Sequence, residues 1–168
     1  ITVTQRHRDP EGWRDVMAGI DDAVAEGLEM RPQIAPRSIG AMYGLSLSQH
    51  AFYLHPSYQA IADKPLEEKV ATMRDPEFKA KLLAEKPVHR SECLIQRTAN
   101  FQFTFRLGDP PDYEPSEERS VLNLAKQAGR DPLDFMYDLL LENDGKSFLF
   151  SPNTNYASYN LDACHEMI

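Results

Sequence analysis

The side chains best equipped for chemistry in this 168-residue sequence fall into a few short clusters. Arg37 follows an extended stretch, and a guanidinium at such a place suits a carboxylate, because its planar fork meets two oxygens at once. Gln33, in the same stretch, would line the same site. Tyr43, His50, Tyr53, His55 and Tyr58 concentrate phenol and imidazole in one segment. That segment reads either as a substrate lid or pocket wall, or as an apolar plug, and the plug is preferred. Asn155 and Tyr156 follow a short apolar run and read as turn residues or as groups that orient a substrate. Cys164 and His165 are adjacent. Helix neighbours point about 100° apart, so the two do not face one ion, and Cys164 reads as a small core residue. The acidic stretch from Asp109 to Glu118 lacks the spacing of a calcium loop and reads as a solvated turn. No nucleophile elbow, P-loop or dinucleotide fingerprint is present, so nothing supports serine catalysis or nucleotide binding.

Certain elements must hold these groups. Ile1–Arg6 alternates apolar and polar residues and predicts a strand. Trp13, Val16, Met17, Ile20 and Val24 recur at helical spacing, predicting a helix over 10–26 that Gly27 ends. Leu28–Ala35 predicts a second strand, awkward at Pro32, so 1–37 reads as a strand–helix–strand unit with parallel strands. Residues 38–56 read as a long loop with one short helix, and Pro65 and Asp75-Pro76 open two further short helices. Leu94–Leu107 is predicted partly as a strand, with Phe101, Phe103 and Phe105 on one buried face. Ser116 and Asp131-Pro132 start two further helices, Ser147–Ser151 is a buried strand, and Asn160 caps a last helix. The order is α/β, and it suits a partial (β/α)8 barrel interrupted by a helix-rich insertion. The predicted layout is a barrel unit over 1–37, an insertion or lid over 38–115, and helices with a late barrel strand over 116–168.

The bulk composition is that of a globular domain, with 42% hydrophobic and 26% charged residues and a net charge of −8. An acidic balance argues against nucleic acid or an anionic membrane as partner. No apolar run reaches the length of a membrane span, and the two cysteines form no framework, so a reducing, cytoplasmic setting is expected. Both chain ends read as cuts within a longer protein.

Three stretches together resemble the D-aminoacylase (N-acyl-D-amino-acid deacylase) family of the amidohydrolase superfamily. They are the opening strand with Trp13 and Glu26-Gly27-Leu28, the run Arg31–Arg37 with Ile39-Gly40 and Gly44-Leu45, and Asn155-Tyr156 with Asn160-Leu161-Asp162. The resemblance is collinear over essentially the whole chain, with no single diagnostic motif. It implies a metal-dependent hydrolase of amide bonds in N-acyl amino acids, and a barrel whose active-site groups sit at the C-terminal strand ends. It implies zinc as the cofactor, activating a water. His7 is the nearest match to a metal-binding histidine, with Gln5 and Arg6 as alternatives for that slot. The remaining metal ligands have no match, and the catalytic Asp is expected beyond Ile168. No catalytic residue is therefore assigned within the chain.

The substrate-binding candidates are Arg37, Gln33, Tyr43 and Asn155, and the metal candidate is His7. The expected partners are a small-molecule substrate and the remainder of the same polypeptide, with self-association where apolar surface is left uncovered. A reading of another class also stands: a non-catalytic module of the same fold that binds a small carboxylated ligand or a protein partner.

Overall fold

A computed structural model describes residues 1–168. In chain order the elements are β1 (Thr2–Val3), α1 (Gly12–Ala25), β2 (Gln33–Ile34), β3 (Ile39–Tyr43), α2 (Pro56–Gln59), α3 (Leu66–Met73), α4 (Pro76–Ala84) and α5 (Glu92–Thr98). They continue with β4 (Phe105–Arg106), α6 (Val121–Gln127), α7 (Pro132–Gly145), β5 (Leu149–Thr154) and α8 (Asp162–Met167). The chain is mixed α/β. Its strands are too few for a barrel, and its two small sheets do not close, because most segments with strand-like composition take other conformations. No helix is long and apolar enough to cross a membrane. Residues 1–40, 113–116 and 152–168 form one compact unit, and residues 41–112 and 117–151 form a second.

The first unit is built on β1–α1–β2. The two strands pair in parallel, Thr2 opposite Gln33 and Val3 opposite Ile34, as the strand–helix–strand pattern predicts. α1 starts at Gly12, after Pro10, and Glu11 gives no side-chain cap; it instead accepts from Arg14 Nε at 2.7 Å. At the other end Gly27, at φ +91°, closes the helix as expected. Its amide donates to the Val24 carbonyl, and the Leu28 amide donates to Ala23. Only glycine takes that backbone without cost. The second strand is far shorter than 28–35: Pro32 has no amide to donate, and only Gln33 and Ile34 pair. The core here is small, comprising Val3, Trp13, Ile20, Cys164 and Met167.

The second unit carries the larger core. Residues 38–56 are not all loop, because β3 lies within them and joins a sheet ordered β3–β5–β4. β4 runs antiparallel to β5, with Phe105 opposite Phe150. The predicted strand over 94–107 shrinks to Phe105–Arg106. Ser91 caps α5, its Oγ accepting from the Leu94 amide at 3.4 Å, and this turns 92–98 into helix. Phe101 and Phe103 sit on a 3-10 turn, so the three phenylalanines do not share one strand face, although Phe103 and Phe105 are buried. The aspartate–proline starts hold as expected. Asp75 accepts from Glu77 N at 2.9 Å, and Asp131 accepts from Leu133 N at 2.8 Å and Asp134 N at 3.3 Å. α7 is regular only to Leu141. Asn143, Asp144 and Gly145 then take positive φ, and a Cβ on Gly145 would lie 2.5 Å from a Val70 methyl. α4 and α7 are tied by Lys79, which bonds Asp134 at 2.7 Å and Asp138 at 2.8 Å, while Arg130 reaches the same two carboxylates.

Candidate functional site

The C-terminal ends of β1 and β2 are held together by one side chain, Asn155. It is fully buried and sits at φ +61°, a conformation that asparagine tolerates better than most residues. Its Oδ1 accepts from the Gln5 amide at 2.8 Å, and its own amide donates to the Gln5 carbonyl at 2.9 Å. Its Nδ2 donates to the carbonyls of Ala35 at 3.2 Å and Arg37 at 3.3 Å. The side-chain oxygen and nitrogen are thus both engaged within the chain, and Asn155 acts as a tie between three strand ends. Gln5 is also buried, and its Oε1 accepts from Ala157 N at 2.9 Å, so it is committed to structure and is not placed as a metal ligand.

His7 lies in the turn from Arg6 to Asp9, which is closed by the Asp9 amide on the Arg6 carbonyl at 3.2 Å. It is half-buried, and burial pushes its imidazole down to about 4. At neutral pH the ring is therefore uncharged, the form a ligating or proton-handling imidazole requires. Arg6 and Arg37 are exposed in this same unit, one before His7 and one just after β2. Gln33 is exposed on β2. The strand ends of the first unit therefore carry His7, Arg6 and Arg37, with the backbone of 35–37 and Gln5 fastened by Asn155. The cationic side chains suit an anionic group such as a carboxylate.

No three His, Cys, Asp or Glu side chains converge in the chain to hold a metal. A zinc centre takes three or four protein ligands, so these residues do not by themselves fit zinc. Cys164 is a buried core residue whose thiol is pushed up by burial and, secondarily, by Glu114. His165 is exposed, and Glu166 forms a two-point pair with Arg14, at 2.6 Å for Nη2 to Oε2.

Tyr43 belongs to the second unit. It is buried on β3, and its hydroxyl donates to the Arg97 carbonyl at 3.1 Å, so it is not a loop residue open to a substrate. Most of the aromatic segment after it is buried in the second unit. His50 is fully buried, stands edge-on to Tyr58 with ring centroids 4.2 Å apart, and accepts from Phe52 N on Nδ1 at 3.2 Å. Burial, then the charges of Lys69 and His55, push His50 down to about 3. The tie made by Asn155 escapes sequence reasoning, since an asparagine after a strand signals only a turn. A cavity of about 420 Å³ beside His55 escapes it too, because its lining comes from α4, α5 and α7 as well as the aromatic segment.

No family model matches the chain, no curated protein matches it, and no solved structure matches it.

Proposed function

We propose that the chain is the late-strand portion of a metal-dependent amidohydrolase of the D-aminoacylase type, acting on the amide bond of N-acyl-D-amino acids. In this reading β1, α1 and β2 are one unit of a (β/α)8 barrel whose other strands, and whose remaining zinc ligands, come from the rest of the same polypeptide. One observation carries it: a parallel β1–α1–β2 unit whose strand ends, fastened by Asn155, present a neutral His7 and the guanidinium of Arg37. In a barrel enzyme the C-terminal strand ends hold the reacting groups, and an arginine there would receive the substrate carboxylate. Apolar residues left exposed in this unit, among them Val16 and Val24 of α1, and Leu28, suit a neighbour from the same barrel. The 168-residue chain is then expected to self-associate in solution, and a clean monomer by light scattering argues against that cover.

The test is turnover of N-acetyl-D- and N-acetyl-L-amino acids by a polypeptide that carries this chain with its remaining barrel strands. The expected result is release of free amino acid from the D series, lost on chelation and restored by zinc. Arg37→Ala should raise KM about tenfold or more, the value of a charge-assisted contact. A polypeptide that cleaves neither series with any added metal overturns the reading. A second reading is favoured by the lack of converging ligands: a non-catalytic module that binds a small carboxylated molecule at Arg37. Carboxylate binding without turnover, weakened by the same substitution, would select it.

A further inference from the structure

Arg37 is exposed, yet the backbone that carries it is fixed at several points. Asn155 Nδ2 donates to the Ala35 carbonyl at 3.2 Å and to the Arg37 carbonyl at 3.3 Å. Between those two carbonyls stands Pro36, whose ring fixes its own φ. Ser38, the next residue, is buried, and β3 begins at Ile39. Residues 35–37 thus form a fixed bracket, and the guanidinium keeps chiefly the freedom of its side-chain torsions. The other end of the tie is held differently. The bond from Asn155 N to the Gln5 carbonyl is made by backbone alone, Gln5 Oε1 accepts from Ala157 N, and Arg6 pairs with Thr154. Without the asparagine side chain the β1 end keeps these ties, whereas the carbonyls of Ala35 and Arg37 both lose a donor. The side-chain amide of Asn155 therefore acts mainly on the segment that bears Arg37.

We infer that Asn155, with Pro36, is a positioning residue that sets which hand of substrate the Arg37 guanidinium accepts; the inference rests on the amidohydrolase reading above. A stereocentre is read only when several of its substituents are held at fixed places. The reacting amide is one such place and the carboxylate on Arg37 is another, so the side chain of a D or an L substrate then points to different regions. A guanidinium meets a carboxylate through two parallel bonds, and the contact fixes direction as well as distance. If the bracket drifts, the carboxylate follows it, and either hand reaches the reacting groups. A bracket built during folding spares that ordering at the moment of binding. Asparagine suits the task, because its amide supplies two donors to two carbonyls while its oxygen serves the Gln5 amide.

The test measures kcat/KM for N-acetyl-D-leucine and N-acetyl-L-leucine on one preparation of the polypeptide that carries this chain with its remaining barrel strands. The readout is the D-over-L ratio. Partial unfolding lowers both values alike and cancels in the ratio, so a merely structural role leaves it unmoved. Asn155→Gly keeps the positive φ without strain and removes only the side-chain bonds. It should lower the ratio about three- to tenfold, the scale of ordering one long side chain. Pro36→Gly, at an exposed position, loosens the same bracket without removing a buried bond. It should lower the ratio in the same direction by less, and it carries the test where Asn155→Gly does not fold. With Arg37→Ala as background, neither substitution should move the ratio further. An unchanged ratio in Asn155→Gly, or in Pro36→Gly where the first does not fold, overturns the proposal and leaves the amidohydrolase reading standing. So does a fall that is as large without Arg37. A polypeptide that cleaves neither hand overturns both.

Discussion

The two units solve the problem of staying folded differently. The second gathers fifteen buried residues into one cluster, in which Tyr43, Phe52, Tyr137, Leu139 and Leu140 are almost wholly enclosed. The first has five, and holds its strand ends with a polar tie at Asn155 and a surface pair between Arg14 and Glu166. Exposed large apolar side chains divide the opposite way. Ile1, Val16, Val24, Leu28, Ile39, Tyr113 and Ile168 belong to the first unit, against Leu47, Val88 and Phe148 in the second. A helix such as α1, which buries Trp13 and Ile20 but leaves Val16 and Val24 in water, has formed its stripe without covering it. The second unit thus depends on packing, while the first depends on a few directional bonds.

Core truncation should separate them most widely. Leu140→Ala, in the enclosed core of the second unit, is expected to cost about 3–5 kcal/mol, since packed surroundings leave a cavity that does not collapse. Ile20→Ala, on the thinly covered α1, should fall near the bottom of the range, about 2 kcal/mol. Urea unfolding of both variants measures the gap, and equal losses would dissolve the contrast. Asn155→Ala comes next. It strands the Gln5 amide and removes the donor to Ala35 and Arg37, for a loss of about 2–3 kcal/mol. Hydrogen exchange should quicken most at the Gln5 amide. Arg37→Ala, which removes only an exposed side chain, should stay within about 0.5 kcal/mol on the same scale. If the two substitutions prove alike, Asn155 is not the tie that the geometry describes.

How far the sequence foretells this depends on how local each signal is. The Gly27 stop, the Asp75-Pro76 and Asp131-Pro132 starts and the parallel β1–α1–β2 unit are legible because a few neighbouring residues decide them. The extent of the strands is not. Pairing partners lie far apart in sequence, as in β4–β5 and above all Arg6–Thr154, or are cut short by one proline, and strand composition alone does not reveal either. Alternating phenylalanines over 101–105 look like a strand face, yet the preceding Ser91-capped helix and 3-10 turn claim the first two. At the candidate site, His7 and Arg37 stand out by residue type, whereas the hydrogen bonds of Asn155 exist only in three dimensions. Likewise the aromatic segment announces burial, but not which imidazole nitrogen will lack a partner.

Acid sharpens the comparison further, because each unit holds a histidine that burial keeps neutral. In the second unit His50 is packed by Tyr58, Phe52 and Tyr53, with Lys69 and His55 as the charged or titratable groups that act on it. Its Nδ1 accepts from Phe52 N, which places the ring hydrogen on Nε2, a buried atom without a partner. The folded ring titrates at about 3, against 6.5 in the unfolded chain. Below pH 6.5 the unfolded state therefore takes up a proton that the native state lacks, and stability falls as pH drops towards 3. The slope approaches ~1.4 kcal/mol per pH unit for one such group. In the first unit His7 acts with the same sign, but its effect ends at about pH 4, where the folded ring itself titrates. Denaturant unfolding across this range should lose part of its slope in both His50→Phe and His7→Phe. Below pH 4 only the His50 substitution should still flatten the curve. His50→Phe also forfeits the bond from Phe52 N and so starts about 1 kcal/mol lower at neutral pH. A variant that starts lower but keeps the full acid slope would show that His50 is protonated inside the fold, and that the tight packing around Tyr58 yields to charge.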